Sequence, residues 1–252
     1  MGRRFARFWG LAVAAMMPVV LIAGGAGAIV GGDEDDGGHP NVGLVIVADQ
    51  FGNIDACTGT LVTSTLVLTA AHCLPTAIGY SFGVSFKSEV VRGADNSRLS
   101  AAIVDRNEEY DVGLLSLAAS ATTLYPDIKP ADLPGEGALD NYRRGDSFTH
   151  VGYGLDRYAS RRELMSNPPN EYIRRALEAP LSRLNDTQLF TRSRYGVLCK
   201  GDSGGPVFDG DGVIVALGNY VSGNCKGTNS GPRLDIEPVR DFLSDNGVPV
   251  PN

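Results

Sequence analysis

Gly201-Asp202-Ser203-Gly204-Gly205-Pro206 is the stretch on which the reading of this chain turns. A serine hydroxyl is a poor nucleophile until a base takes its proton, so a serine in a glycine-rich turn gains meaning only beside a base. Far upstream, Thr69-Ala70-Ala71-His72-Cys73 supplies one; the other two histidines, His39 and His150, stand in unrelated contexts. A third block, Tyr110-Asp111-Val112-Gly113-Leu114-Leu115, offers a carboxylate whose apolar neighbours predict burial. A lone buried carboxylate is costly without a donor, and His72 meets that need while Asp111 fixes the imidazole's tautomer.

These three blocks, preceded by Ile29-Val30-Gly31-Gly32 and running in the order His, Asp, Ser, resemble the trypsin/chymotrypsin-like serine proteases. The resemblance covers nearly all of the chain after residue 28 and implies an all-β fold. Its parts are two perpendicular antiparallel six-stranded β-barrels, a short C-terminal helix, and an active site between the barrels. His72 and Asp111 come from the first barrel and Ser203 from the second. The implied activity is that of a serine endopeptidase acting through an acyl-enzyme, with Ser203 as nucleophile, His72 as general base then acid, and Asp111 as orienting carboxylate. The backbone N–H groups of Gly201 and Ser203 form the oxyanion hole, glycine being suited to the unusual dihedrals and close substrate approach. Asp202 pairs with the free α-ammonium of Ile29. Cysteine count alone leaves three pairings open for Cys57, Cys73, Cys199 and Cys225; the resemblance implies Cys57 with Cys73 and Cys199 with Cys225.

The chain of 252 residues is long enough for one large or two small domains. Arg3, Arg4 and Arg7 precede an apolar stretch from about Phe8 to Ala23, and Ala26-Gly27-Ala28 follows, which reads as a secretory signal peptide over 1–28. A cut after Ala28 leaves Ile29 as the new terminus, so export itself is expected to free the activating amine. Removing this segment takes three of the 22 basic residues and none of the 29 acidic ones, leaving a formal charge of −10. An acidic secreted domain without a basic stripe is not expected to bind nucleic acid, nor a membrane after signal removal. A polypeptide substrate and a protein inhibitor are the expected partners, as a monomer, without cofactor or metal. The cysteines lie in the exported part, where disulfides persist, and their spacing lacks the close ligand pairs of a zinc site. Asp33-Glu34-Asp35-Asp36 reads as a solvated acidic turn, with a cation site as the speculative alternative.

The domain after the signal peptide is read as 29–252, the first barrel over about 29–130 and the second over about 131–252. Strand-like runs near 42–48, 60–70, 79–86, 99–105 and 112–117 belong to the first. Those near 147–153, 176–181, 205–208, 212–221 and 231–236 belong to the second, joined through the aperiodic stretch 126–137. Leu155 to Asn170 reads as a long exposed loop, a candidate for substrate contact or self-cleavage, and 235–243 as a short helix with an early proline.

By the resemblance, Val197 forms the base of the primary pocket, and Asn219, Tyr220, Val221 and Gly231-Pro232 its walls. No carboxylate stands there to receive a lysine or arginine, so small or medium apolar side chains are expected. The sequence departs from the family pattern at Thr58, where glycine commonly follows the cysteine, and at Tyr153 and Tyr220, where tryptophans are usual. Asn219 replaces a serine near the aspartate, a change expected to weaken support of Asp111. Gly201-x-Ser203-x-Gly205 also fits an esterase nucleophile elbow, but that fold needs a histidine after the serine, and none follows His150. A non-catalytic protease-like binding protein is the remaining alternative; such a protein typically lacks a triad residue, and all three are present.

Overall fold

A computed structural model of the chain describes residues 29–93, 97–219 and 225–251. Residues 1–28, read above as a signal peptide, therefore lie outside the described residues, as do Tyr220 and Val221. In chain order the first half holds β1 (Asp33–Glu34), β2 (Val42–Ala48), β3 (Ile54–Leu61), β4 (Leu66–Thr69), β5 (Ser81–Ser85), β6 (Glu89–Val91), β7 (Leu99–Asn107) and β8 (Val112–Leu117). The second holds β9 (Ser147–Gly152), α1 (Arg161–Ser166), β10 (Glu171–Ile173), β11 (Arg175–Leu184), β12 (Gln188–Thr191), β13 (Gly205–Phe208), β14 (Ile214–Gly218), β15 (Asn229–Pro232) and α2 (Glu237–Asp245).

Strands β2-β3-β4-β8-β7-β5 close into an antiparallel barrel. The second set runs β14-β13-β9-β11-β12-β15, and bridges from Ala216 to Arg233 and from Asn219 to Ser230 bring its two ends together. The near-continuous apolar character of β2, β4 and β8 follows from period-two alternation with both faces covered. Val45, Val47, Val67, Leu115 and Leu117 fill the first barrel, whereas Val42, Leu44, Leu68, Val112 and Leu114 face the other way, into a core shared with Val151, Tyr153 and Leu217 of the second half. Each such side chain stabilises the fold by roughly 1.5–3 kcal/mol on burial. Phe148, Leu181, Leu189, Val207 and Val215 fill the second barrel.

Three segments cross between the halves. β1 pairs with β11, and Val30 bridges Val197, so residues 29–34 pack on the second barrel rather than the first. β6 pairs with β10 as a two-stranded strap from one half to the other. Helix α2 buries Val239 and Leu243 in the shared core, and Asn246 donates to Asp105 of β7 (3.3 Å).

Asp35 corrects the reading of the acidic turn. Asp33, Glu34 and Asp36 are exposed, but Asp35 is buried and accepts from Arg174 Nε (2.6 Å) and from the His39 backbone N–H (3.1 Å), with His39 Nδ1 2.8 Å away. Burial pushes this carboxyl up, yet the bonds from His39 and Arg174 outweigh it and bring it down to about 2. Arg174 is itself buried and donates onward to the carbonyls of Val42 and Phe86. A paired carboxylate that locks the barrels together thus stands where a solvated turn was expected.

Candidate active site

His72 lies in a single 3-10 turn, Ala71–Cys73, directly after β4. Asp111, immediately before β8, has φ 55°, a left-handed conformation that aspartate tolerates better than most residues, and its carboxylate turns back onto that turn. Oδ1 accepts the His72 backbone N–H at 2.9 Å, and Oδ2 lies 2.8 Å from His72 Nδ1. Asp111 was expected to be buried, but 29% of its side chain is exposed, and 50% of the His72 side chain. Burial still raises the Asp111 carboxyl, and bonds from the His72 ring, the His72 backbone and Asn219 override it, so the group sits below the ordinary carboxylate range.

Asn219 departs from two expectations. Its Nδ2 donates to Asp111 Oδ2 at 2.7 Å, so the amide supports the carboxylate rather than weakening it, and its side chain is turned to Asp111 rather than to a pocket wall. Its Oδ1 is buried without a partner among the described residues. An asparagine reaches further than a serine and can place a donor on the carboxylate from β14's end, a contact that sequence position alone does not reveal.

Ser203 is buried at the mouth of β13 and shares a cavity of about 540 Å³ with His72, Gly201 and the Cys57–Cys73 disulfide. The close approach of the serine block to the histidine block depends on Gly204: at φ 78°, a Cβ there would stand 2.2 Å from Thr69 Oγ1 and 2.5 Å from Ala70 N. Among the described residues no hydrogen bond joins the Ser203 hydroxyl to His72, a looseness common in an empty site.

The backbone around Ser203 alternates in direction. Lys200 C=O accepts from Leu155 N–H (2.8 Å) and Asp202 C=O from Gly205 N–H (3.0 Å), so in the trans peptides that follow, the N–H groups of Gly201 and Ser203 point the opposite way. Neither N–H has an acceptor among the described residues, whereas Asp202 N–H between them donates to Cys199 C=O (3.1 Å). Gly201 holds φ 100°, available to glycine at little cost.

Asp202 is buried beneath this loop. Its carboxylate accepts from Gly154 N–H (2.7 Å), from Cys199 N–H (2.8 Å) and from the nitrogen of Ile29. Desolvation dominates these bonds and pushes the carboxyl up to about 7. Ile29 is buried beside it at φ 52°, a strained value for a β-branched residue.

The second disulfide, Cys199–Cys225, packs with Val197, itself buried, and with Val30 and Leu155. Pro232 is buried in β15. Behind this stretch, Leu198 N–H donates to Asn229 Oδ1 (2.9 Å), Asn229 Nδ2 to Thr191 Oγ1 (3.4 Å), and Thr191 Oγ1 lies 2.7 Å from His150 Nε2. Burial brings the His150 ring down to about 4, so folding favours its neutral form. Because the unfolded ring binds protons first, stability is retained above about 6.5 and falls as pH drops toward 4, by about 3 kcal/mol in full. Urea unfolding at pH 7.5 and 4.5 is expected to show this loss, and His150→Gln to shrink it; an equal loss in both proteins counts against the assignment.

The segment 155–170 is not simply an exposed loop. Ser160 Oγ accepts from Glu163 N–H (3.2 Å) and caps α1, and Leu155, Leu164, Pro168 and Pro169 line the same cavity as Ser203 and His72. The ligand atoms of Cys57, His72 and Cys73 lie within 4.8 Å of one another, but both sulfurs are consumed in the disulfide, which leaves one nitrogen and no metal cage.

A family model described as trypsin matches residues 29–240. Trypsin II-P29 of Gallus gallus is 30% identical over 212 residues, covering 75% of this chain and 81% of that protein. Granzyme M of Rattus norvegicus is 27% identical over 222 residues, covering 78% and 80%. Among solved structures, human heparin binding protein superposes with a TM-score of 0.66 at 20% identity, covering 89% of this chain and 100% of that one. HL collagenase gives 0.68 at 21%, covering 86% and 98%; at such identities the likeness shows the shared fold. The expected all-β, two-barrel architecture is therefore the observed one, and the chain belongs to the trypsin family of serine proteases.

Proposed function

We propose that this chain is a secreted serine endopeptidase that cleaves polypeptides through Ser203, His72 and Asp111. The observation that carries the reading is the pair of unpartnered N–H groups, Gly201 and Ser203, on either side of a serine that shares its cleft with an Asp111-bound imidazole. With Nδ1 engaged by Asp111, His72 offers Nε2 as the base. Rotation of the Ser203 hydroxyl onto Nε2 transfers the proton as Oγ attacks the carbonyl, and the imidazolium returns it to the leaving amine. The two N–H groups receive the developing oxyanion, each worth about 3 kcal/mol of barrier. The Cys57–Cys73 and Cys199–Cys225 disulfides fit an oxidising compartment.

Primary specificity rests on Val197. No carboxylate lies among the described residues of the proposed pocket, so an arginine or lysine side chain would lose its hydration without gaining a partner. Small and medium apolar residues are the preferred P1 side chains. Leu155, Leu164, Pro168 and Pro169 line the cleft that holds Ser203 and add apolar surface for substrate residues flanking the scissile bond.

Profiling the secreted protein against a peptide library, with Ser203→Ala as control, tests both claims. Alanine, valine or leucine at P1 is expected to exceed arginine by at least about tenfold in kcat/KM. Preference for arginine overturns the pocket assignment, and turnover that survives in Ser203→Ala overturns the mechanism.

A further inference from the structure

Thr58 occupies a position at which the sequence departs from its family's pattern, and its side chain is not idle. It is buried in β3, immediately after Cys57. Its hydroxyl donates to Gly201 C=O at 2.8 Å and accepts from Tyr153 N–H at 3.0 Å. Its backbone N–H donates to Ser203 C=O at 2.9 Å, and its own carbonyl accepts from Thr69 Oγ1 at 2.7 Å. One residue of the first barrel thus grips the serine loop of the second at two points, the carbonyls of Gly201 and Ser203, which bracket Asp202.

We propose that Thr58 is a positioning residue for the oxyanion hole, a brace from the first barrel acting beside the Asp202 anchor. This inference rests on the endopeptidase reading for its kinetic consequences. The peptide joining Gly201 to Asp202 is held by Thr58 Oγ1 at its carbonyl and by Cys199 at its N–H. The Gly201 N–H lies in the preceding peptide, whose Lys200 C=O accepts from Leu155 N–H (2.8 Å); because Gly201 at φ 100° has no side chain to resist rotation, the braced 201–202 peptide on its other side limits how far that N–H can turn. Without the hydroxyl, a carbonyl in a crowded, partly buried place and a buried Tyr153 N–H both lose a partner, and the loop can relieve this by rotating. The brace and the Ile29–Asp202 pair favour the same loop conformation, so weakening one makes the loop depend more on the other.

Thr58→Val removes the hydroxyl while keeping the shape, and Thr58→Ser keeps the hydroxyl. Thr58→Val is expected to lower kcat at least about tenfold with KM within about threefold. It should weaken binding of a peptidyl trifluoromethyl ketone by the same factor as kcat/KM. The alkaline limb of its pH profile is expected at lower pH than in the parent protein, because a less braced loop needs the ammonium more. Thr58→Ser is expected to restore the parent values. Amide hydrogen exchange over residues 199–205 provides a readout independent of turnover, and Thr58→Val should speed it while Thr58→Ser does not. Faster exchange in Thr58→Val, in a parent that hydrolyses nothing, upholds the brace and defeats the endopeptidase reading. Unchanged kcat and unchanged exchange in a folded Thr58→Val defeat the brace alone. If Thr58→Val does not fold, Thr58→Ser and Thr58→Ala carry the comparison, and equal exchange in these two overturns the proposal.

Discussion

Replacing Asp111 with asparagine is expected to lower kcat by about 10⁴-fold while leaving the fold intact. The substitution is nearly isosteric, so Gly113 and β8 keep their places, but Asp111 does three things that an amide cannot do together. It accepts from the His72 backbone, accepts from the Nδ1 proton of the ring, and accepts from Asn219 Nδ2. An amide can present its NH2 to His72 Nδ1, which drives the ring proton to Nε2 and removes the lone pair that Ser203 needs. Removing the charge also removes the stabilisation of the imidazolium formed during attack. Steady-state kinetics with a thermal melt in parallel checks this; a loss below about tenfold in a folded protein contradicts the role given to Asp111. Asn219→Ala, which deletes only one of the donors, is expected to cost far less.

A chain that begins at Ile29 is expected to be more stable above pH 7 than one that retains residues 1–28, by about 4 kcal/mol, or on the order of 10 °C in Tm. When residue 28 is attached, Ile29 presents a neutral N–H to Asp202, whose carboxyl is held up at about 7 by burial. The folded state then keeps a proton that the unfolded chain releases near 3.8, so stability is present at low pH and declines as pH rises from about 4 through 7. A free α-ammonium at Ile29 supplies the missing countercharge, and the positive φ of Ile29 ceases to exist with the preceding peptide. The ion pair raises the amine above its usual value near about 8, so its contribution holds below that value and is lost as pH climbs through the raised one. Activity of the Ile29 form should fall along that alkaline limb, and acetylation of the amine should reproduce the loss at neutral pH. Thermal melts of the two forms from pH 4 to 9 check the prediction; coincident curves contradict it. A cut after Ala28 is expected to be the activating event, and mass spectrometry of the mature protein checks it: Ile29 is the expected first residue, and active protein that begins upstream of it contradicts the expectation.

Much of this architecture could be read from local pattern. The runs at 42–48, 112–117 and 205–208 coincide with β2, β8 and β13, because there alternation and turn residues agree. Residues 60–70 were read as one strand but form the end of β3 and all of β4. The break is local: Thr63 Oγ1 accepts from the N–H groups of Thr65 and Leu66 and folds a turn into a β-branched run. The start of β3, with aspartate, cysteine and glycine, carries little strand signal and takes its structure from seven residue pairings with β2. The reading of 155–170 as a loop misses α1, whose one local signal is the Ser160-x-x-Glu163 capping spacing. What stayed hidden was long range. Asp35 meets Arg174, Asn219 meets Asp111 and Thr58 meets Gly201 across 139, 108 and 143 positions, and only the folded chain brings these pairs into contact.

If Ser203 becomes a nucleophile where the two barrels meet, covalent labelling will show it. Protein beginning at Ile29 is treated with a fluorophosphonate, digested, and mapped by mass spectrometry, with Ser203→Ala and His72→Ala alongside. One adduct is expected, on the peptide containing Ser203, absent from the first variant and slowed by at least about a hundredfold in the second. An unlabelled Ser203 in folded protein with a free Ile29 amine contradicts it and leaves a trypsin-family fold that binds without cutting.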